Sequence, residues 1–369
     1  MQKIAIVVND SWYAWNMRAN LAFAFQKEGY EVVFICPYDE YSKHIQKYFK
    51  YLNISINAKG TNPIEDLKSA YKYYKIYKDL KPDIILHYTV KPNIYGTIVA
   101  SMLNIPTINN IAGLGTLFMN QTIVTRVVKL LYKFSQRKAS KIFFQNQDDL
   151  KMFIYEKLVP KERCDVLPGS GVDIEKFKPI IKQDDGVFIF LLLSRMLWAK
   201  GINEFIQAAK IIKNKYDNIK FQLVGHLDVL SPTAITKEQM NIWIQDGTVD
   251  YLGSSDDVRV EIANADCIVL PSYYREGTPR ILLEAASMGK PIITTDNVGC
   301  RDVVEDGVTG YICKIKNSKD LADKMEGMLN LTVEKRVSMG KAGRDKVIKE
   351  YDEKIVIDKY LKSIKEILK

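Results

Sequence analysis

Residues 276–296 read EGTPRILLEAASMGKPIITTD and predict a loop, a helix and a buried strand in succession. Gly277 and Pro279 disfavour a helix interior, but proline fits the first helical turn, so the helix is expected to begin near Pro279. The first backbone amides of such a helix belong to Arg280, Ile281 and Leu282. These amides would be unpaired donors at the positive end of the helix dipole, where a phosphate binds readily.

Two carboxylates flank this predicted anion site. Glu276 precedes the loop Gly277–Thr278, and Glu284 lies on the helix. Carboxylates only accept hydrogen bonds, so the pair suits a ligand with hydroxyl groups on both sides of its phosphates, such as a nucleotide sugar. The simpler interpretation is one loop glutamate and one solvated helix glutamate.

A second motif, FIFLLLSRMLWAKG at 188–201, begins with an uninterrupted apolar run. Such a run is typical of a buried parallel strand. Arg195 would leave its carboxyl end, with Lys200 in the following turn, and this edge of an open α/β sheet binds ligands. The two cations could hold a diphosphate and stabilise it as it leaves. Taken alone, they could also be surface charges.

Two more apolar runs end in the same way. FQLVGHLD at 221–228 reaches Gly225, and DCIVLPSYYREG at 266–277 ends in the loop that carries Glu276. Three successive strand ends are therefore predicted to converge on one crevice.

Together these motifs resemble the retaining nucleotide-sugar glycosyltransferases of family four, which have the α/β GT-B fold of two Rossmann-like domains facing a central cleft. The matching residues are Ser194-Arg195, Lys200-Gly201, Val224-Gly225, Tyr251-Leu252-Gly253, Pro271-Ser272, and the stretch from Glu276 through Gly299-Cys300-Arg301 to Gly307-Val308-Thr309-Gly310. The resemblance implies that Glu276 contacts the donor sugar and Glu284 the ribose, while Arg195 and Lys200 bind the diphosphate.

The resemblance therefore implies catalytic roles for Arg195, Lys200 and Glu276. The expected donor-binding residues are Gly225, Leu252, Gly277, Thr278, Pro279, Arg280, Ile281, Leu282 and Glu284. The nucleobase is expected against the loops after Gly225 and Leu252.

A chain of 369 residues exceeds the size at which one core keeps growing, so two domains are expected. Apolar runs at 3–8, 30–36, 83–90 and 141–146 alternate with amphipathic segments, as in a β/α fold. The predicted organisation is an acceptor-binding domain at 1–180, a nucleotide-sugar-binding domain at 181–350, and a helix at 351–369 that returns to the first domain.

The net charge of +9 lies in the first half of the chain, most visibly in the acid-free segment 121–147. Its cations recur every three or four residues at Arg126, Lys129, Lys133 and Arg137. A second stripe on the same predicted helix is apolar and consists of Ile123, Val127, Leu130, Leu131 and Phe134. Such a helix can lie on an anionic membrane or flank a lipid-linked diphosphate. Alternatively, its apolar stripe is ordinary core and its charges are solvated.

The segments KPNIYG (91–96) and NNIAGLGTLF (109–118) resemble bacterial enzymes that add N-acetylhexosamines to undecaprenyl-diphosphate-linked sugars. This resemblance implies a UDP-sugar donor, with N-acetylgalactosamine favoured and N-acetylglucosamine next. The residues expected near the acceptor are Arg18, Lys91, Gly113, Gly115, Arg126 and Lys129.

No Asp-x-Asp motif occurs in the chain, so no metal is expected to hold the diphosphate, and no cofactor is expected beside the UDP-sugar co-substrate. Positive groups would instead stabilise the departing UDP. In retaining members of the family, the acceptor is thought to attack the face that the leaving group vacates.

No apolar run approaches the roughly 20 residues needed to span a bilayer, and the five cysteines are scattered. The expected location is the cytoplasm, at the inner face of the cell membrane. Three alternatives stay open: a sugar-nucleotide epimerase of related architecture, a basic nucleic-acid-binding module, and a nicotinamide-dependent dehydrogenase. Gly113-Leu114-Gly115 matches the fingerprint of the last only weakly, because the third glycine is missing.

Overall fold

A computed structural model describes residues 1–56, 62–114, 118, 122–183, 186–227, 231 and 233–369. The chain forms two compact units: unit 1 contains residues 1–170 and 354–369, and unit 2 contains residues 171–353. The boundary expected near 180 is wrong by ten residues. Val172 and Phe177, which precede it, are buried in the core of unit 2, and so is Tyr351 near the return.

Unit 1 is built on a seven-stranded parallel sheet with the order β3-β2-β1-β4-β5-β6-β7. Its strands are β1 (Lys3–Val7), β2 (Glu31–Cys36), β3 (Lys50–Asn53), β4 (Ile84–Tyr88), β5 (Thr107–Ile111), β6 (Lys141–Phe144) and β7 (Cys164–Val166). Its first helices are α1 (Ser11–Lys27), α2 (Ser42–Tyr48), α3 (Pro63–Leu80), α4 (Thr97–Met102), α5 (Ile123–Gln136) and α6 (Gln147–Tyr155), and a π-helical turn spans Pro92–Gly96. The four strands predicted in this half of the chain are confirmed as β1, β2, β4 and β6.

Strand β5 was not predicted, because its sequence TINNI contains two asparagines that are both buried. A hydrogen-bonded network offsets the cost of burying these polar groups. The ring of His87 on β4 bonds the Asn109 Oδ1 atom at 3.0 Å through Nδ1 and the Tyr77 hydroxyl at 2.9 Å through Nε2. Asn109 in turn donates to Gln136 on α5 at 2.7 Å. Burial lowers the pKa of His87 to about 3, as expected for a structural histidine.

Unit 2 contains a six-stranded parallel sheet with the order β10-β9-β8-β11-β12-β13. Its strands are β8 (Phe188–Leu193), β9 (Ile219–Val224), β10 (Asp250–Tyr251), β11 (Cys267–Leu270), β12 (Ile292–Thr295) and β13 (Gly310–Cys313). Its helices are α7 (Ile202–Lys213), α8 (Lys237–Gln245), α9 (Arg259–Asn264), α10 (Arg280–Ser287), α11 (Ser318–Leu329) and α12 (Val333–Glu350). The strand order reverses between β8 and β11, and the carboxyl ends of strands at such a switch point bind ligands.

The last helix, α13 (Glu353–Ile367), belongs to unit 1 from Lys354 onward. Val356, Tyr360 and Ile364 are buried in the same core as β1 and α1. The Tyr360 hydroxyl also accepts a hydrogen bond from the side-chain amide of Asn110 on β5 at 2.9 Å. The C-terminal helix therefore packs in the core of unit 1.

Candidate active site

A buried ion pair lies at the switch point of the unit 2 sheet. Lys200 ends a short 3-10 turn after β8, Glu276 lies in the loop after β11, and the Lys200 ammonium contacts the Glu276 carboxylate. Both residues are only 9% exposed. The converging strand ends predicted from the sequence thus bring together two charges that are 76 positions apart.

The backbone around this pair is tightly connected. The carbonyl oxygen of Ala199 accepts bonds from the amides of Tyr273 and Tyr274, both at 2.9 Å. The Tyr274 ring lies 5.1 Å from the Lys200 ammonium. Gly201 has a φ of 79°, and a Cβ there would clash with the carbonyl of Pro271. The glycine after Lys200 is therefore required for the two loops to approach each other.

Two further residues, which the sequence analysis did not place in the site, hold the Glu276 loop. The fully buried hydroxyl of Ser272 donates to the Glu276 carboxylate at 3.0 Å. The side-chain amide of Asn297, after β12, donates to the carbonyls of Ser272 at 3.2 Å and Tyr274 at 2.7 Å. Ser272 could have been found from its place in the matched motif. Asn297 acts through backbone carbonyls, which leave no sequence signal.

Arg195 stands apart from the pair. Its side chain is exposed at the carboxyl end of β8, and within the described ranges it forms no ion pair. It can reach an anion in solvent without first breaking a bond to a carboxylate.

Helix α10 begins immediately after Pro279, close to the expected position. Arg280 donates to the Glu284 carboxylate at 2.8 Å. Burial raises the pKa of Glu284, while the charge of Arg280 opposes this rise. The prediction of an unpaired Leu282 amide is wrong, because this amide donates to the Pro279 carbonyl at 3.1 Å in a tight first turn.

The residues predicted to face the nucleobase lie on adjoining loops. The amide of Gly225 donates to the Gly253 carbonyl at 2.8 Å, and the Tyr251 hydroxyl donates to the Gly225 carbonyl at 2.7 Å. A Cβ at Gly225 would clash with the carbonyl of Ser194. Leu252 is exposed beside these loops.

In unit 1, the predicted acceptor residues have different environments. Arg18, on α1, is buried. Lys91 is not a free loop cation, because its ammonium pairs with Asp66 at 2.6 Å. Gly113 has a φ of 88°, which favours glycine, and Gly115 lies outside the described residues.

Helix α5 exposes most of its apolar stripe, and its buried face combines polar residues with Tyr132. Ile123 is 79% exposed and Leu130 is 67% exposed, while Thr125, Ser135 and Gln136 are buried. The exposed apolar residues are Ile123, Val124, Val127, Leu130 and Phe134. The interpretation of this stripe as ordinary core is therefore wrong, although Leu131 packs partly against the core.

The cations of α5 also differ in their surroundings. Arg126 and Arg137 are exposed, whereas Lys129 pairs with Glu156 at 2.7 Å. Among the residues that the structure describes, no helix combines the length and the apolar character needed to cross a membrane.

The two parallel sheets agree with the GT-B fold that the sequence motifs resemble. Residues 173–346 match the family described as glycosyl transferases group 1, and residues 3–146 match the family described as glycosyl transferase 4-like. The chain belongs to the family-four glycosyltransferases. This membership decides against the epimerase, dehydrogenase and nucleic-acid alternatives.

Two relatives resemble most of the chain. The first is N,N'-diacetylbacillosaminyl-diphospho-undecaprenol alpha-1,3-N-acetylgalactosaminyltransferase of Campylobacter jejuni, which is 30% identical over 96% of both chains. The second is UDP-Gal:alpha-D-GlcNAc-diphosphoundecaprenol alpha-1,3-galactosyltransferase of Escherichia coli, 26% identical over 82% of both chains.

Solved structures show the same fold. A glycosyltransferase from Rickettsia africae superposes with a TM-score of 0.81 at 20% identity, covering 100% of this chain and 99% of the other. Anabaena HepE, solved with UDP and glucose, superposes with a TM-score of 0.79 at 16% identity, covering 99% of this chain and 100% of the other. The predicted GT-B fold class is confirmed.

Proposed function

We propose that this glycosyltransferase moves an N-acetylhexosamine from a UDP-sugar to an undecaprenyl-diphosphate-linked sugar, with retention of the anomeric configuration. The observation that carries the proposal is the buried Lys200–Glu276 pair in a chain that resembles a diphospho-undecaprenol glycosyltransferase over nearly its whole length. Both relatives are named for diphospho-undecaprenol acceptors but for different sugars. The relative of higher identity favours N-acetylgalactosamine, with N-acetylglucosamine as the next choice.

In the proposed reaction, Lys200 exchanges its carboxylate partner for the diphosphate of the donor. Glu276, still held by Ser272 at 3.0 Å, is then available to accept a bond from a sugar hydroxyl. Arg195 approaches the same diphosphate from solvent. Positive groups of this kind stabilise charge on the departing UDP, and removing one such donor typically costs about 100- to 1,000-fold in rate.

The bond between the anomeric carbon and the UDP oxygen breaks while an acceptor hydroxyl forms the new bond on the same face. The proton of that hydroxyl passes to a phosphate oxygen of the leaving UDP. No enzymatic nucleophile is required in this scheme, and no metal or cofactor is invoked.

The remaining donor contacts follow the loops of unit 2. Glu284 is proposed to accept from the ribose hydroxyls, because its carboxylate is held by Arg280 at 2.8 Å. The loop Gly277–Thr278 and the first turn of α10 are proposed to lie along the phosphates. Gly225 and Leu252 are proposed to flank the base.

Unit 1 is proposed to bind the acceptor and the membrane surface. The exposed apolar stripe of α5 would enter the headgroup region, while Arg126, Lys133 and Arg137 attract anionic lipids. This arrangement fits a lipid-linked acceptor, because an enzyme docked on the bilayer meets the diphosphate at the surface. The proposed location is therefore the inner face of the cytoplasmic membrane.

The proposal is tested by incubating the enzyme with a panel of UDP-sugars and undecaprenyl-diphosphate-linked sugars and analysing the products by mass spectrometry. The expected result is a lipid product heavier by one N-acetylhexosamine. Lys200→Met serves as the inactive control. Transfer only to soluble acceptors would contradict the lipid acceptor, and an inverted anomeric signal in the NMR spectrum of the product would contradict retention.

A further inference from the structure

Among the residues that the structure describes, Arg18 is a buried cation whose partners are all uncharged. It is 1% exposed on α1, and its Nη2 atom donates to the Tyr13 hydroxyl at 2.5 Å and to Ser170 Oγ at 3.2 Å. Its Nε atom is buried without a hydrogen-bond partner among the described residues. In the same described ranges, Arg18 forms no ion pair.

An unpaired buried charge is costly, because water no longer solvates it. Two tyrosine rings offset part of this cost through cation–π contacts, with the guanidinium carbon 4.2 Å from the Tyr88 ring centroid and 5.1 Å from that of Tyr13. The bare Nε–H is not compensated by these rings. Methionine at this position would avoid the cost of burying the charge of Arg18. The cation is therefore not needed for the stability of unit 1.

The side chains around Arg18 place it at the ligand-binding edge of the sheet. Tyr88 ends β4, and Ser170 follows β7. Gln145, just after β6, donates to Ser170 Oγ at 3.3 Å and to Asn110 Oδ1 on β5 at 3.4 Å. The guanidinium of Arg18 thus lies beside the ends of β4 and β7, and Gln145 after β6 reaches it through Ser170. This is the edge where open α/β sheets bind ligands.

We propose that Arg18 is the anion-binding residue of unit 1 and receives one phosphate of a diphosphate group. The planar guanidinium of Arg18 matches the oxygens of a phosphate, and its Nε–H has no hydrogen-bond partner among the described residues. The inference rests on the proposed function, because a lipid-linked acceptor supplies such a diphosphate. The donor nucleotide carries the same chemistry, so the experiment distinguishes these two sources.

The test uses the full chain and the variants Arg18→Met and Arg18→Lys. Arg163→Met is the matched control. Arg163 is another arginine of unit 1, and its hydrogen bonds to described residues go to the backbone carbonyls of Arg137 and Ala139, at 3.0 and 2.8 Å. Inorganic pyrophosphate is titrated by calorimetry in saturating UDP, which occupies the unit 2 site, and UDP affinity is measured separately. Thermal unfolding is recorded without ligand.

The expected result is pyrophosphate binding in saturating UDP that weakens about tenfold or more in Arg18→Met. Lysine keeps the charge but not the fork, so Arg18→Lys should lose affinity severalfold. Without ligand, Arg18→Met should unfold at the temperature of the unchanged protein or above it. Arg163→Met should unfold at a lower temperature with normal pyrophosphate affinity.

Arg18→Met could instead bind UDP more weakly while no pyrophosphate binding is seen in saturating UDP. Arg18 would then bind the diphosphate of the nucleotide rather than that of the acceptor, and the anion site would still be supported. Unchanged affinities for both probes in a folded Arg18 variant would overturn the proposal and make Arg18 a structural residue. Failure of transfer to lipid-linked sugars would instead overturn the proposed function, because pyrophosphate binding does not depend on the acceptor lipid.

Discussion

The carboxyl edges of the two sheets both hold a buried cation, but in opposite electrostatic surroundings. In unit 2, Lys200 contacts the carboxylate of Glu276. In unit 1, Arg18 contacts two tyrosine rings and two hydroxyl groups. A similar degree of burial therefore has different consequences, because removing Lys200 leaves a buried carboxylate behind, whereas removing Arg18 leaves neutral groups among its described contacts.

The largest effect is expected for Lys200→Met. Transfer should slow by about 100- to 1,000-fold, because the variant cannot stabilise the departing UDP. The free energy of unfolding should also fall by about 3 kcal/mol, because Glu276 remains buried without its cation. Steady-state kinetics and urea denaturation measure the two effects.

The double variant Lys200→Met with Glu276→Gln is the matched control. Its stability should recover, since no unpaired charge remains, while its activity stays low. Near-normal turnover in a folded Lys200→Met protein would end the assignment of Lys200 to the diphosphate.

Arg195→Ala should separate activity from stability within the same site. The exposed side chain forms no ion pair in the described part of unit 2, so the unfolding free energy should change by less than about 0.5 kcal/mol. Transfer should nevertheless slow by about 100-fold, because the guanidinium acts on charge that builds as UDP leaves. Normal transfer by this variant would make Arg195 an ordinary surface residue.

The exposed face of α5 gives the next effect, on membrane binding. Changing Arg126, Lys133 and Arg137 to glutamine should weaken binding to anionic vesicles by about 100-fold, since each cation near the surface contributes about 1 kcal/mol. Lys129 is left unchanged because Glu156 already pairs with it. Vesicle co-sedimentation measures binding, and added salt should mimic the variant.

The matched control changes three exposed lysines that form no ion pair in the described part of unit 2, namely Lys220, Lys335 and Lys349, to glutamine. It removes the same charge but should retain most of the vesicle binding. UDP affinity should be unchanged in both variants. Equal binding by the α5 variant and the unchanged protein, with normal transfer to a lipid-linked acceptor, would require the membrane surface to be withdrawn from the proposal.

A smaller effect is expected on the stability of unit 1 at acidic pH. Burial lowers the pKa of His87 from 6.5 to about 3, so below pH 6.5 the unfolded chain takes up a proton that the native chain does not. The contribution of neutral His87 to the free energy of unfolding is complete above pH 6.5 and is lost as the pH falls toward 3. Between pH 6.5 and 5, this loss should be about 2 kcal/mol.

Urea denaturation of the unchanged protein and of His87→Asn at both pH values tests this expectation. Asparagine does not titrate, so the variant should show a pH dependence that is smaller by about 2 kcal/mol, whatever its stability at neutral pH. The same slope in both proteins would contradict a buried neutral His87.

The smallest expected effect is that of a chelator. Transfer should continue at nearly the full rate in excess EDTA, because the proposed charge stabilisation comes from Lys200, Arg195 and the first turn of α10. Loss of activity that returns with magnesium or manganese would show that a metal carries part of this charge.

The sequence predicted the surroundings of Lys200 and Glu276 better than those of Arg18 and Lys91. Apolar runs followed by Arg195, Lys200 and Glu276 identify strand ends, and parallel strand ends meet at one edge by geometry. Residues that act through other groups could not be found in this way. Ser272 and Asn297 hold the Glu276 loop, and Asp66 pairs with Lys91 from another element.

By itself, the sequence determined the two parallel α/β units, the returning helix and the family, because hydrophobic periodicity and short motifs are local properties. Only the tertiary structure decided which side of α5 is exposed and which cations are paired. A helical stripe of Leu130 and Phe134 has the same pattern whether it faces a core or solvent. Burial and pairing depend on packing between distant segments, as the chain places Ser170 beside Arg18 and Glu276 beside Lys200.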